Sequence, residues 1–171
     1  MKLFMTSGTF DFLKNMKLKH KDQHLILLHN GSSTKLIQEA EKKTLFKEPR
    51  KFDIVITVGN LIQEGFIVMN NVPVTEEGRP TFEHMFKNRV GEIEKQPGFI
   101  AFRVLRPIKS ETYIILTQWD SENSFNNWKK SSSFFDAHSK QENQSIIANP
   151  QKLFTGESFV SKYYVPTFDE E

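Results

Sequence analysis

An α+β fold follows from three observations on this sequence. Strand-like β-branched and aromatic runs outnumber the amphipathic helices, those helices are short, and the second half reads strand, helix, two strands, helix, strand. That order is the ferredoxin-like one, in which helices cover one face of an antiparallel sheet and leave the other bare. The first half carries strands and one clear helix and reads as a reduced copy. The sequence therefore predicts a ferredoxin-like C-terminal domain over residues 65–171, of the kind that builds dimeric α/β barrels. A degenerate ferredoxin-like half over residues 1–64 is expected to pack against it.

Composition sets the bounds. The 171 residues suffice for one substantial core or two small domains packed together. Lys and Arg number 23 against 21 Asp and Glu, so electrostatics offers no case for a nucleic-acid partner. The chain has no cysteine, which excludes disulfides, thiolate chemistry and iron–sulfur clusters and suits a reducing cytoplasm. No apolar run approaches the roughly 18 residues of a membrane span, and no signal-peptide layout opens the chain. A cytoplasmic protein without a membrane span is expected. Phe is abundant, at 16 residues, enough for an aromatic interior or the lining of a flat pocket.

In the first half, Lys2–Ser7 reads as a strand and Thr9–Leu18 as a helix capped by Thr9. His24–His29 is an apolar run, Asn30-Gly31 a strong turn signal, and Thr34–Glu39 the returning strand. Thr44–Glu48 reads as a further short strand. After Pro49, Phe52–Val58 favours a strand by its β-branched content, with a short helix as the alternative. His20, His24 and His29 lack the helical spacing to a carboxylate that a metal site favours, and read as surface or strand-end residues.

The second half opens near Gly65. Alternation along Phe66–Val74 places Phe66, Val68, Asn70, Val72 and Val74 on one face, with Pro73 arguing for a sheet edge or a bulge. Asn70 is the odd member, a polar side chain where the period calls for a core residue. Glu76–Pro80 starts a helix with acidic residues at its N-terminus. Its apolar stripe is Phe82, Met85, Phe86, Val90 and Ile93, and His84 falls off that stripe toward solvent. Gln96–Gly98 is a loop, followed by strands Phe99–Leu105 and Thr112–Trp119. Gln141–Gly156 reads as a connecting segment, Ser158–Val165 as the last strand and Asp169–Glu171 as an acidic tail.

The stretch between Ser121 and Lys140 carries the chemistry. Residues 121–130 form one short helix capped by Asp120 or Ser121, with Phe125 and Trp128 on one face. A serine of 131–133 caps a second, in which Phe134 and His138 share a face. From the residues alone, this pair fits a satisfied aromatic core or the ligand of a flat, iron-bearing cofactor.

Taken together, Asn70 with the alternation into Glu76–Pro80, the stretch Phe86–Phe99, and Trp119–His138 resemble the heme-degrading monooxygenases of the IsdG type. These lie within the antibiotic-biosynthesis-monooxygenase (ABM) superfamily. The likeness covers about residues 66–165, and the longer, HmoB-like form with an N-terminal extension is the nearest in layout. The N-terminal half is also similar to the staphylococcal regulatory protein TRAP.

The resemblance implies a catalytic set of Asn70, Trp128 and His138, with Asn71 the alternative to Asn70 one register away. It implies heme as both cofactor and substrate, and oxygen-dependent ring opening of the staphylobilin type with iron release. Dioxygen and an external electron donor, delivered by an unidentified reductase, complete the requirements. His138 would be the axial ligand of the heme iron. Asn70 would donate a hydrogen bond on the distal side, Trp128 would press on the porphyrin, and Phe134 would pack beside it. A heme carrier or sensor, or a TRAP-like regulator, is the alternative. One site per chain and a monomer arranged as a pseudo-dimer are expected.

Overall fold

The computed structural model describes residues 1–87, 90–131 and 153–168. Strands β1 (Lys2–Gly8), β2 (His24–His29), β3 (Thr34–Ala40) and β4 (Arg50–Val58) belong to the first half, with helix α1 (Phe10–Lys19). The second half supplies β5 (Phe66–Pro73), α2 (Arg79–Lys87), α3 (Val90–Ile93), β6 (Phe99–Pro107), β7 (Thr112–Trp119), α4 (Glu122–Lys129) and β8 (Phe159–Tyr164). The fold is α+β and ferredoxin-like, as the element order predicts. The described strands close into one antiparallel barrel in the order β1-β3-β2-β8-β5-β7-β6-β4. Within it, β4-β1-β3-β2 and β8-β5-β7-β6 repeat the same arrangement, the first half lacking a second helix.

Two seams join the halves. β4 pairs with β6 over Phe52↔Pro107 to Val58↔Phe102, with a bulge between Ile54 and Ile56. At the other seam, β2 and β8 meet at the single pair His29↔Tyr164. There Gln63 takes the place of a strand: it accepts from Leu27 N–H at 2.8 Å and donates to the carbonyls of Leu27 and Pro166. Alternation then sorts side chains into layers. Leu3, Met5, Ile26, Ile37, Phe52, Ile67, Met69, Leu105, Ile114 and Leu116 fill the interior. Phe4, Leu13, Leu25, Leu27, Leu36 and Phe46 form an outer layer of the first half, under α1. Phe66, Val68, Val72, Val74, Phe82, Met85, Phe102, Tyr113, Trp119 and Phe125 form another, between the second half's sheet and its helices.

Three expectations need correction. Thr44–Glu48 is not a strand, because the buried Gln38 carbonyl collects Thr44 Oγ1 at 2.9 Å and the Leu45 amide at 3.2 Å, folding the segment so that Phe46 plugs the α1 layer. Pro73 marks neither an edge nor a bulge. It ends β5, an internal strand between β8 and β7, where the ladder no longer needs its missing N–H. α2 starts at Arg79, since Glu76–Gly78 form a turn that Thr75 Oγ1 closes by accepting from Gly78 N–H at 3.0 Å. Phe52–Val58 resolves as strand, within β4.

A buried charge sits inside the barrel near the loop 59–65. Arg103, 2% exposed, donates through Nε to Glu39 Oε2 at 2.9 Å. His24 Nδ1 lies 3.0 Å from Glu39 Oε1, and its Nε2 lies 2.8 Å from the Leu61 carbonyl. Both imidazole nitrogens thus face acceptors, which favours the cation. The Glu39 hydrogen bond, followed by that of Leu61, outweighs burial and raises the His24 pKa. Burial would raise Glu39, but hydrogen bonds and charge from His24 and Arg103 hold it at about 2. His24 begins a strand as expected, yet it is tied into this network rather than simply solvated.

Candidate active site

The site is built on the helix-facing side of β5, β7 and β6. Asn70 pairs with Ile115 on β7 and Val160 on β8, in line with Val68 and Val72. Val68 and Val72 belong to the aromatic outer layer, so Asn70 stands in the floor under the helices. Its Oδ1 is buried and has no hydrogen-bond partner among the described residues. Asn71 takes the opposite face: its amide donates to the carbonyls of Met69 and Phe159, each at 3.2 Å, and to Ser161 Oγ at 3.3 Å. An orphaned buried carbonyl costs about 1–3 kcal/mol, and of the two asparagines only Asn70 bears that cost.

Trp128 joins the same layer from α4. The helix is capped by Ser121, whose Oγ accepts from Ser124 N–H at 3.2 Å, and its inner residue Phe125 is buried. Its start is drawn onto the sheet by the loop at Gly98, whose carbonyl accepts from Asp120 N–H at 2.8 Å. Gly98 has φ 82°, and a Cβ there would lie 2.2 Å from Ser124 Oγ, so glycine is required. Trp128 then leans on Trp119, with ring centroids 5.3 Å apart and planes inclined by 31°. Trp119 is fully buried and fixed by its indole N–H to Thr117 Oγ1 at 2.9 Å. Trp119 pairs with Phe66, four residues before Asn70 on β5. Trp128 thus packs toward one end of a floor whose other marker, Asn70, is about 13 Å further along the strand.

Past Asn70 the floor is closed by a polar lock. Glu83 on α2, 9% exposed, accepts from Arg106 Nε at 2.7 Å and Nη2 at 2.6 Å, and from the Tyr113 hydroxyl. Burial would raise the Glu83 carboxyl, but Arg106 and Tyr113 hold it below its ordinary value. Burial and then Glu83 push the Tyr113 phenol well up. The lock pins α2 to the sheet as a lid over this end of the floor. Sequence reading did not single out these residues: Glu83 follows an apolar-stripe residue, and only its side chain's reach back to β6 and β7 reveals its role. Cations also flank the Trp128 end, Lys129 Nζ at 5.4 Å and Lys162 Nζ at 5.7 Å from the Phe125 ring centre.

The expected residues thus divide. Asn70 and Trp128 share one apolar layer, while Phe134 and His138 lie outside the described residues. His84 is exposed. Among the described residues, no cluster of three His, Cys, Asp or Glu could hold a bare metal ion, and no helix is long and apolar enough to cross a membrane.

Residues 65–140 match the antibiotic biosynthesis monooxygenase (ABM) family. The matched segment begins just before β5 and runs through the Trp128 helix. A heme-degrading monooxygenase of Listeria monocytogenes is 27% identical over 130 residues, 76% of this chain and 78% of its own. The signal transduction protein TRAP of Staphylococcus aureus is 26% identical over 140 residues, 82% of this chain and 84% of its own. The structure of a major regulator of staphylococcal pathogenesis superposes with a TM-score of 0.83 at 22% identity, over 98% of this chain and 100% of that one. That likeness extends the shared fold to the N-terminal half.

Proposed function

We propose that this chain is an ABM-type monooxygenase that degrades heme with release of iron, heme serving as both cofactor and substrate. The observation that carries the reading is Asn70: a buried, unpartnered carbonyl in an otherwise apolar floor, in the same layer as Trp128. The apolar floor suits a flat hydrophobic macrocycle, and Lys129 and Lys162 beside Phe125 suit the carboxylates that heme carries. Bound heme supplies the iron at which dioxygen is reduced and the ring carbons that are oxidised. Asn70 would offer its side-chain amide to a ligand lying on this floor. Trp128, braced by Trp119, would offer a rigid indole to the face of a bound macrocycle. His138 would hold the heme iron, a reading supported by its ten-residue spacing from Trp128 and by the resemblance. The external electrons come from an unidentified reductase, and ring opening is of the staphylobilin type. The cysteine-free composition fits a cytoplasmic location.

A regulatory role without turnover is the second reading, favoured by the staphylococcal TRAP relatives, which match over a slightly longer stretch. Hemin and ascorbate added to the purified protein separate the possibilities. A Soret band that forms and then decays with iron release supports degradation. A band that forms and persists means carriage or sensing, and no band at all means the regulatory reading.

The functional unit in this proposal is a monomer, since the first half supplies the barrel wall that a partner subunit would otherwise provide. Light scattering across a range of concentrations should give the mass of one 20.0 kDa chain. A stable mass of twice that value would overturn it.

A further inference from the structure

A small basic cavity opens where β4 begins, away from the helix-covered floor. Its volume is about 210 Å³, and its walls are Pro49, Arg50, Lys51, Phe52, Lys109 and Ser110. The Ile108 N–H donates to the Lys51 carbonyl at 3.0 Å, which folds the β6–β7 turn over the start of β4 and brings Lys109 to Arg50 and Lys51. Phe52, 1% exposed, is the floor, and the Arg50 guanidinium lies over its ring, 5.2 Å from the centre. That stacking holds the planar fork at the opening. The Ser110 hydroxyl accepts from Thr112 N–H at 3.4 Å and keeps its own proton to donate. Behind the turn, Arg79 Nη2 donates to the Ser110 carbonyl at 2.9 Å, adding a further positive charge.

The charges in this wall are uncompensated. No carboxylate lines the cavity, and among the described residues the side chains of Arg50, Lys51 and Lys109 have neither an ion-pair nor a hydrogen-bond partner. The contrast with Arg103 and Arg106 is plain, since each of those grips a carboxylate. Lys35, on β3 across β1 from Arg50 and bonded to Ser7 Oγ at 2.9 Å, has its proton affinity lowered by burial and then by the charge of Arg50. Like charges gathered in this way repel unless an anion sits among them.

We infer that this cavity binds a phosphate dianion, either free or as the head of a small phosphate monoester. Three side-chain cations exceed what a monocarboxylate needs, and a guanidinium fork matches two oxygens of a tetrahedral anion. About 10–15 Å³ of such volume holds one water, so the cavity has room beyond the bare anion, along the apolar wall of Pro49 and Phe52.

Calorimetric titration of the full chain at about pH 8, where the phosphate is a dianion, and at fixed ionic strength tests this. The probes are inorganic phosphate, phenyl phosphate and benzoate. Both phosphates should bind saturably and benzoate should not; the tighter of the two tells a monoester site from a free-phosphate site. Arg50→Gln should weaken phosphate binding roughly tenfold or more. Lys95→Gln, on a distant surface, should leave it unchanged. Arg50 is exposed, and an unaltered melting temperature will confirm that its variant is folded. Absence of saturable phosphate binding, equal binding of benzoate, or equal affinity in the folded Arg50→Gln protein would each overturn the proposal.

Discussion

Asn70 and Asn71, neighbours in the chain, stand on opposite faces of β5. Asn71 is turned into the barrel with three hydrogen bonds, while Asn70 faces the helix layer with its carbonyl unpartnered among the described residues. Their alanine variants should therefore fail in different ways. Asn70→Ala should fold and bind heme normally but turn it over about 10²–10³ times more slowly. Asn71→Ala should lose about 1–3 kcal/mol of stability in urea denaturation and keep its rate per folded molecule. If the two phenotypes are exchanged, the assignment of Asn70 to the site fails.

His138→Ala should abolish tight heme binding, because the iron would lose its protein ligand while the apolar floor remained. Soret titration measures it. An unchanged spectrum and affinity would remove His138 from the proposed site.

Acid and base should each loosen the barrel through the Glu39–His24–Arg103 network. Glu39 is held at about 2 when folded and has an ordinary value of 4.5, so its stabilising share is present above pH 4.5 and is lost as pH falls toward 2. The His24 pKa is raised above 6.5, so its share is complete below pH 6.5 and is lost as pH climbs through the raised value. Chemical denaturation across pH should show this contribution greatest between 4.5 and 6.5. Glu39→Gln should flatten the profile and cost about 3–5 kcal/mol, since it strands the Arg103 charge in the interior. A profile unaltered by Glu39→Gln would refute the network's role.

Gln63→Ala should open the weaker seam. Leu27 would lose partners for both its N–H and its carbonyl, and Pro166 one for its carbonyl. A loss of about 2–3 kcal/mol is expected, with faster hydrogen exchange at the Leu27 amide. Retained protection there would show that some other group closes the seam.

The strands of both halves were legible because β2, β5, β6 and β7 are short runs of β-branched, aromatic and other apolar residues, buried on both faces and bounded by turn signals. Asn70 could be read for the same reason: a polar residue out of place on an apolar face shows up in one dimension. Glu39, Arg103 and Glu83 could not. Each is a charged residue in a strand or helix that local pattern assigns to solvent, and each is buried by a partner 23 or 64 positions away. Thr44–Glu48 misled for a related reason, since Gln38 supplies the hydrogen bonds that a neighbouring strand would have made. The pairing of β4 with β6 and of β2 with β8 depends on how two sheets meet, which no single segment encodes.

The shared interior also constrains inheritance. Leu3 and Phe52 from the first half fill the same cluster as Met69 and Leu116 from the second, so a substitution at either inner face has to be absorbed by residues across the boundary. The exposed flank of α1, where Phe12 and Leu18 already face solvent, carries no such obligation and is free to drift. A gene trimmed to its second half would yield a product with β6 and β8 as two raw edges. To survive, that product would have to borrow its missing wall from a copy of itself.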